Sequence, residues 1–299
     1  MFPAGLAMVL FALSSVTARR SVRYLGSNTA NLARITLASA LLALYAHTLG
    51  AGLRGPALGW FLLSGIIGYG ICDTAIFLAL PRLGAQITTL IVQCLSVPIA
   101  LLTEWLWLGT SLFPTQLAAI GVILAGVATA LYPAGRGPGP AVGPEIRAVL
   151  LGVLAAVGQA WGAVLSRHGM QVSDAAGRPL DGLSVAYQRI LAGLVFTFGW
   201  WVWQRHRSGA TPAPVAGSVS GPAWPWVLLN ALAGPALGVA CYQWALSLQP
   251  TGVVLSITAL APLAVIPLAV WIEHERPTRR SVVGGIVAVL GVVWLARHR

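Results

Sequence analysis

The sequence predicts an all-α polytopic membrane protein, with ten transmembrane helices arranged as two inverted five-helix repeats. Three observations carry this. Residues of the hydrophobic set make up 57 % of the 299, and charged residues only 8 %, about a third of the ~25 % usual in soluble globular domains. The mean hydropathy of +0.81 is spread over ten apolar stretches, each close to the roughly 20 residues that a spanning helix needs. The second half of the chain also repeats the order of features in the first.

The expected spans are 2–18, 27–47, 57–80, 85–106, 114–133, 147–166, 183–204, 224–248, 251–272 and 280–297. The longest polar breaks fall at 133–144, 167–181 and 205–222. The first of these is rich in Gly and Pro and reads as a linker, which divides the chain into a first repeat (1–133), a linker (134–146) and a second repeat (147–299). Residues 1–18 lack a basic leader and run on into further spans, so they read as a span and not as a cleavable signal. Cys72, Cys94 and Cys241 all lie within apolar runs, which speaks against a disulfide framework or a metal cluster.

All 18 cationic residues are Arg, against seven acids, for a net charge of +11. The arginines stand singly or in short groups between apolar runs, as membrane-flanking anchors do. This pattern argues against nucleic acid as a partner, and the partners expected are lipid and a small-molecule substrate. No phosphate-binding glycine loop, HExxH or GxSxG is present. No cofactor, metal or hydrolytic chemistry is therefore expected, and a carrier driven by gradients fits better than an enzyme. The connections after spans 1, 3, 5, 7 and 9 hold most of the arginines. By the positive-inside rule alone this bias places both termini outside.

Each half carries matching landmarks. Pro98-Ile99-Ala100-Leu101 leads through Glu104 to Pro114-Thr115 and a Gly121…Gly126 stretch. Pro262-Leu263-Ala264-Val265 leads to Glu275-Arg276-Pro277-Thr278 and Gly284-Gly285…Gly291. Arg34 and Arg189 sit near the start of the second span of each half. Five spans per half is an odd number, so the second half enters the membrane from the opposite side, as in secondary transporters whose substrate site lies between the halves. Together with Ala160-Trp161-Gly162, these landmarks resemble the drug/metabolite transporter superfamily, and within it the EamA-type ten-helix proteins, over essentially the whole chain. The chain departs from that pattern at Gly109-Thr110-Ser111, where a Gly-Glu-Arg signature belongs, and at Ala12-Leu13-Ser14-Ser15, where a Trp-Gly pair belongs.

The resemblance implies export of small metabolites, with amino acids (including aromatic ones) leading, across the bacterial inner membrane with both termini cytoplasmic. It further implies arginine gates on spans 2 and 7 and a cavity lined by spans 3, 4, 8 and 9. Rival readings are a multidrug or organic cation exporter of the same fold, and an integral membrane enzyme or lipid-handling protein. The exporter would want an uncompensated acid in the membrane. The enzyme would need a polar cluster, and only Glu273-His274-Glu275 resembles one.

Ionisable side chains inside spans cost roughly 2.5–3.5 kcal/mol on insertion scales and point to function. Arg34, Asp73, Glu104 and Arg189 are the candidates. Arg34 and Asp73 approach one membrane face, and Glu104 and Arg189 approach the other. Two pairs are expected, Arg34–Asp73 and Arg189–Glu104, acting as gates; snorkelling to the headgroups is the plainer alternative. Glu104, taken as nearest water, is the weakest member. For substrate contact the candidates are Gln93, Gln159, Trp161, Tyr187, Gln188, Tyr242, Gln243 and Trp244, polar or aromatic groups that lipid drives inward. Small-residue faces on spans 5 and 10 suit packing within the chain or a homodimer seam, leaving monomer or homodimer open.

Overall fold

The structure, a computed structural model, describes residues 1–131, 146–208, 222–264 and 279–297. The expected linker 134–146 falls outside the described residues except for Ile146. So do Pro267, Trp271, the Glu273-His274-Glu275 cluster and Arg276-Pro277-Thr278.

Every regular element among the described residues is helical. Helix α1 (Phe2–Leu25) carries Pro at its first turn, where no amide partner is lost. It meets α2 (Ser27–Thr48) at Gly26, whose φ of 74° only glycine adopts freely. The third span begins as α3 (Leu58–Gly65), passes through a π-helical turn (Ile66–Cys72) and continues into α4 (Asp73–Leu108). Gly109, left-handed at φ 65°, caps α4. After it come α5 (Pro114–Leu131), α6 (Ile146–Ala175) and α7 (Gly182–Ser208). The eighth span is α8 (Trp224–Ala231), a second π turn (Leu232–Ala236) containing Pro235, and α9 (Leu237–Leu248). Then follow α10 (Thr251–Thr258) and α11 (Arg279–Arg297).

Among the described residues, six stretches are long and apolar enough to cross a membrane, including Leu58–Ile76 and Ile91–Leu108. These two lie within the continuous helical run, yet they run in opposite directions. Along α6, Gly158, Gly162 and Gly169 meet Cys72, Gly68 and Phe61 in descending order. Gly152, Gln159 and Arg167 meet Ile91, Gln93 and Glu104 in ascending order. The chain therefore reverses between Ile76 and Ile91, and spans 3 and 4 are separate passes, as the sequence predicts. Shorter apolar helices at Pro114–Ala130, Thr251–Ala264 and Val282–Leu295, together with α7, complete ten passes.

The halves are inverted. Equivalent helices α2 and α7 run antiparallel, with Ala51 beside Ser184, His47 beside Tyr187 and Asn28 beside Gln204. Likewise α5 and α11 run antiparallel, with Gly126 against Gly284 and Ala288, and Ile123 against Gly291. The equivalent spans 3 and 8 both carry their π turn eight residues from the start. Such turns leave backbone groups free and recur at functional sites.

One expectation changes. Span 6 does not end near residue 166: its buried face continues through Gly169, Met170 and Ser173, so Arg167 belongs to the helix and not to a loop. The small-residue faces of spans 5 and 10 are used inside the chain. A Cβ added at Gly284 would lie 2.5 Å from Ala130 N and Gly126 O, whereas one at Gly285 meets nothing within 4 Å. Gly284→Ala is therefore expected to cost about 1–3 kcal/mol by overpacking and to lower the melting temperature of the purified protein in detergent. Gly285→Ala leaves it unchanged.

Candidate functional site

Among the described residues, five charged side chains are held within the bundle at three levels: Arg34, Asp73, Glu104, Arg167 and Arg189. The terminal face of the bundle bears both termini and the connections after α2, α4, α6 and α9; the opposite face bears the others.

Near the terminal face, Glu104 is only 1 % exposed. Its carboxylate accepts hydrogen bonds from Thr251 N at 3.0 and 2.8 Å and from Thr251 Oγ1 at 2.9 Å. It thereby caps the N-terminus of α10, whose dipole favours an anion. Arg167 Nε lies 2.8 Å from Glu104 Oε1, an ion contact set off the hydrogen-bonding axis. Arg167 Nη1 donates to the carbonyls of Leu246, at 2.9 Å, and Gln249. One cation and one anion thus tie α4, α6, α9 and α10 together, joining the two repeats. The expected Arg189–Glu104 pair does not form, and Glu104 is the most enclosed acid of the set. Depth along a span places a charge in a leaflet but does not say which helix stands beside it.

More ties close the same face. Gln188 Nε2 donates to the carbonyls of Gly52 and Arg54, at 2.9 and 3.1 Å. Tyr187 Oη bonds His47 Nε2 at 2.9 Å. Ser166 Oγ donates to Gln243 Oε1. Asp181 caps α7 through the amides of Leu183 and Ser184. His168 lies between Trp60 and Trp107, with ring centroids 4.7 and 4.8 Å away.

Toward the opposite face, Arg34 Nη2 reaches Asp73 Oδ2 at 3.4 Å, and Arg34 Nε donates to Asn31 at 2.8 Å. These side chains keep 21 % and 22 % of their surface exposed, against 14 % for Arg167 and 2 % for Glu104. The terminal-face pair is the more enclosed of the two.

Between them lies Arg189. Its Nε donates to Ser64 Oγ at 2.9 Å, and Ser64 Oγ in turn donates to the Gly162 carbonyl. Its guanidinium carbon stands 5.7 Å from the Tyr69 ring centre, and Tyr242 is its other titratable neighbour. Glycines permit this convergence. A Cβ at Gly65 would collide with the Arg189 backbone, and one at Gly162 would crowd Gly68 at 3.1 Å. Tyr242 packs on Phe11, with centroids 6.1 Å apart. Gln159 Nε2 donates to Gln93 Oε1 at 2.9 Å and to Ser96 Oγ at 3.3 Å, joining α6 to span 4.

The eight polar and aromatic candidates therefore divide. Tyr242 stands by Arg189, and Gln93 and Gln159 bond each other. Tyr187 and Gln188 are engaged in the terminal-face ties. Gln243 and Trp244 line a separate cavity of about 430 Å³ with Tyr45, Asp181, Cys241 and Ser247. Trp161 is half-exposed. Sequence reasoning missed Arg167, Ser64, Tyr69's place under Arg189, and Thr251. The signal for Arg167 was the small-residue face of α6, which continues past it at Gly169 and Ser173.

Inverted halves around a polar, charge-bearing interior define the class of inverted-repeat membrane proteins. The model of the EamA-like transporter family matches residues 2–132 and again 146–297, and the chain belongs to that family, within the drug/metabolite transporter superfamily. Its members are multi-pass membrane transporters of small molecules. No curated protein matches the chain. One protein of solved structure superposes with a TM-score of 0.75 at 19 % identity, covering 98 % of this chain and 94 % of the other; at that identity the likeness shows the fold.

Removing one partner of a buried ion pair typically costs about 3–5 kcal/mol, because a lone charge remains. Glu104→Gln is expected to destabilise the protein by an amount in that range. Glu104→Gln with Arg167→Met is expected to recover much of the loss. Thermal melting of the single and double variants in detergent measures both.

Proposed function

We propose that the protein is a secondary transporter that exports small metabolites, amino acids first among them, across the bacterial cytoplasmic membrane by alternating access. The observation that carries this reading is the unequal state of the two ion pairs. Glu104 is enclosed and accepts hydrogen bonds from Thr251, with Arg167 keeping 14 % of its side-chain surface, while Arg34 and Asp73 each retain about a fifth. A bundle more tightly closed at one face than at the other fits one of the two states that an alternating carrier visits. Inverted repeats supply the second by exchanging roles. With both termini cytoplasmic, the sealed end faces the cytoplasm.

The two halves meet through surfaces suited to rearrangement. The π turns at Ile66–Cys72 and Leu232–Ala236 lie in the spans that pack against the partner repeat. The terminal-face seal is a set of discrete polar contacts. A cation exporter fits less well: among the described residues, the two acids inside the bundle, Asp73 and Glu104, already face arginines.

Reconstitution into liposomes loaded with labelled amino acids and organic cations tests this. At least one amino acid is expected to leave faster than from empty-membrane controls, and Asp73→Asn is expected to slow it about tenfold or more, since Arg34 is then left alone. Efflux of organic cations only, or of none of the solutes, would overturn the proposal.

A further inference from the structure

We infer that Arg189 is an anion anchor in the bundle interior, and that the transported solute carries a carboxylate which neutralises it. The inference rests on the carrier reading above and specifies its substrate.

The charges within the bundle do not balance. Arg34 is matched by Asp73 and Arg167 by Glu104. Arg189, only 5 % exposed, meets no carboxylate among the described residues. Three guanidinium groups against two acids leave one positive charge in a low-dielectric interior, where an unpaired ion is costly. The protein softens that cost without cancelling it. Ser64 Oγ accepts from Nε at 2.9 Å, and its own proton is committed to the Gly162 carbonyl, so Ser64 can only accept. The Tyr69 ring offers a π face at 5.7 Å, a contact worth about 0.5–2 kcal/mol. Neither supplies a negative charge.

What remains is the outer edge of the guanidinium. Nε is occupied; Nη1 and Nη2 have no hydrogen-bond partner among the described residues. A Cβ at Gly68 would come within 3.1 Å of Nη2, so the glycine lets the guanidinium lie close against span 3. Two parallel N–H donors on a planar cation match a carboxylate in bidentate geometry. A single unmatched cation balances one negative charge, which favours a monocarboxylate over a phosphate dianion. Tyr69, Tyr242 and Phe11 are the aromatic groups around this point, and they suit an apolar or aromatic body behind the carboxylate. The same arithmetic repels a cationic solute.

The test uses the full chain in proteoliposomes and three probes of one shape: L-phenylalanine, 3-phenylpropionate and L-phenylalaninamide. Both carboxylates are expected to cross, with the amide at least about tenfold slower. R189Q should cut carboxylate flux about tenfold or more and erase the preference for acid over amide. R189K, which keeps the charge but not the fork, should retain the preference with a raised KM. A group that only braces the helices would alter all three fluxes together and leave their ratio unchanged. If R189Q does not fold, the wild-type ratio and the KM of R189K decide the matter. Equal transport of acid and amide by the wild type, an unaltered ratio in R189Q, or an unchanged carboxylate KM in R189K overturns the inference while the carrier reading stands. Failure of every probe and of every other small solute to cross overturns the carrier reading itself.

Discussion

A charge taken into lipid must find a counter-charge, and this constraint organises the whole bundle. Arg167 reaches Glu104 only because α6 continues past its expected end. Glu104 reaches Thr251 only because Pro250 starts α10 beside the end of α4. The four helices that close one face are thus fixed by one carboxylate and one guanidinium. In water such a pair contributes little. Buried in this bundle, it joins the repeats alongside the α2–α7 and α5–α11 contacts.

Helix approach is the second requirement, and glycine meets it. In a membrane, helices gain little from apolar burial against one another, so close backbone contact has to supply the attraction. Gly126 and Gly284 bring α5 onto α11; Gly65 and Gly162 bring spans 3, 6 and 7 together around Arg189. The first contact lies away from the ionic groups and holds the outer helices. The second places Ser64, Tyr69 and Arg189 within reach of each other. Similar chemistry therefore serves as scaffold in one place and as site in another.

Much of the fold was legible in the sequence because it follows from composition and count. Ten apolar runs, an odd number per half and doubled Pro and Gly landmarks specify inverted repeats without any knowledge of contacts. The Arg34–Asp73 neighbourhood was legible for the same reason: both groups sit at matched depth on consecutive spans. The Glu104 partner was not. Ser166-Arg167-His168 reads locally as the start of a polar loop, and only the small face running through Gly169 and Ser173 reveals the helix beneath it. Gln93 and Gln159 were found as polar groups in apolar runs. That signal did not separate them from Tyr187, Gln188 and Gln243, which are used to hold the terminal face shut.

For transport by alternating access, the Glu104 seal has to be a gate that opens as solute crosses. The most direct measurement is the rate at which a membrane-impermeant maleimide modifies Thr251→Cys from the terminal face, in a background lacking Cys72, Cys94 and Cys241. The thiol should be protected in the resting protein and react many times faster while solute efflux runs. A rate that is the same with and without flux, whether fast or slow, would contradict the account.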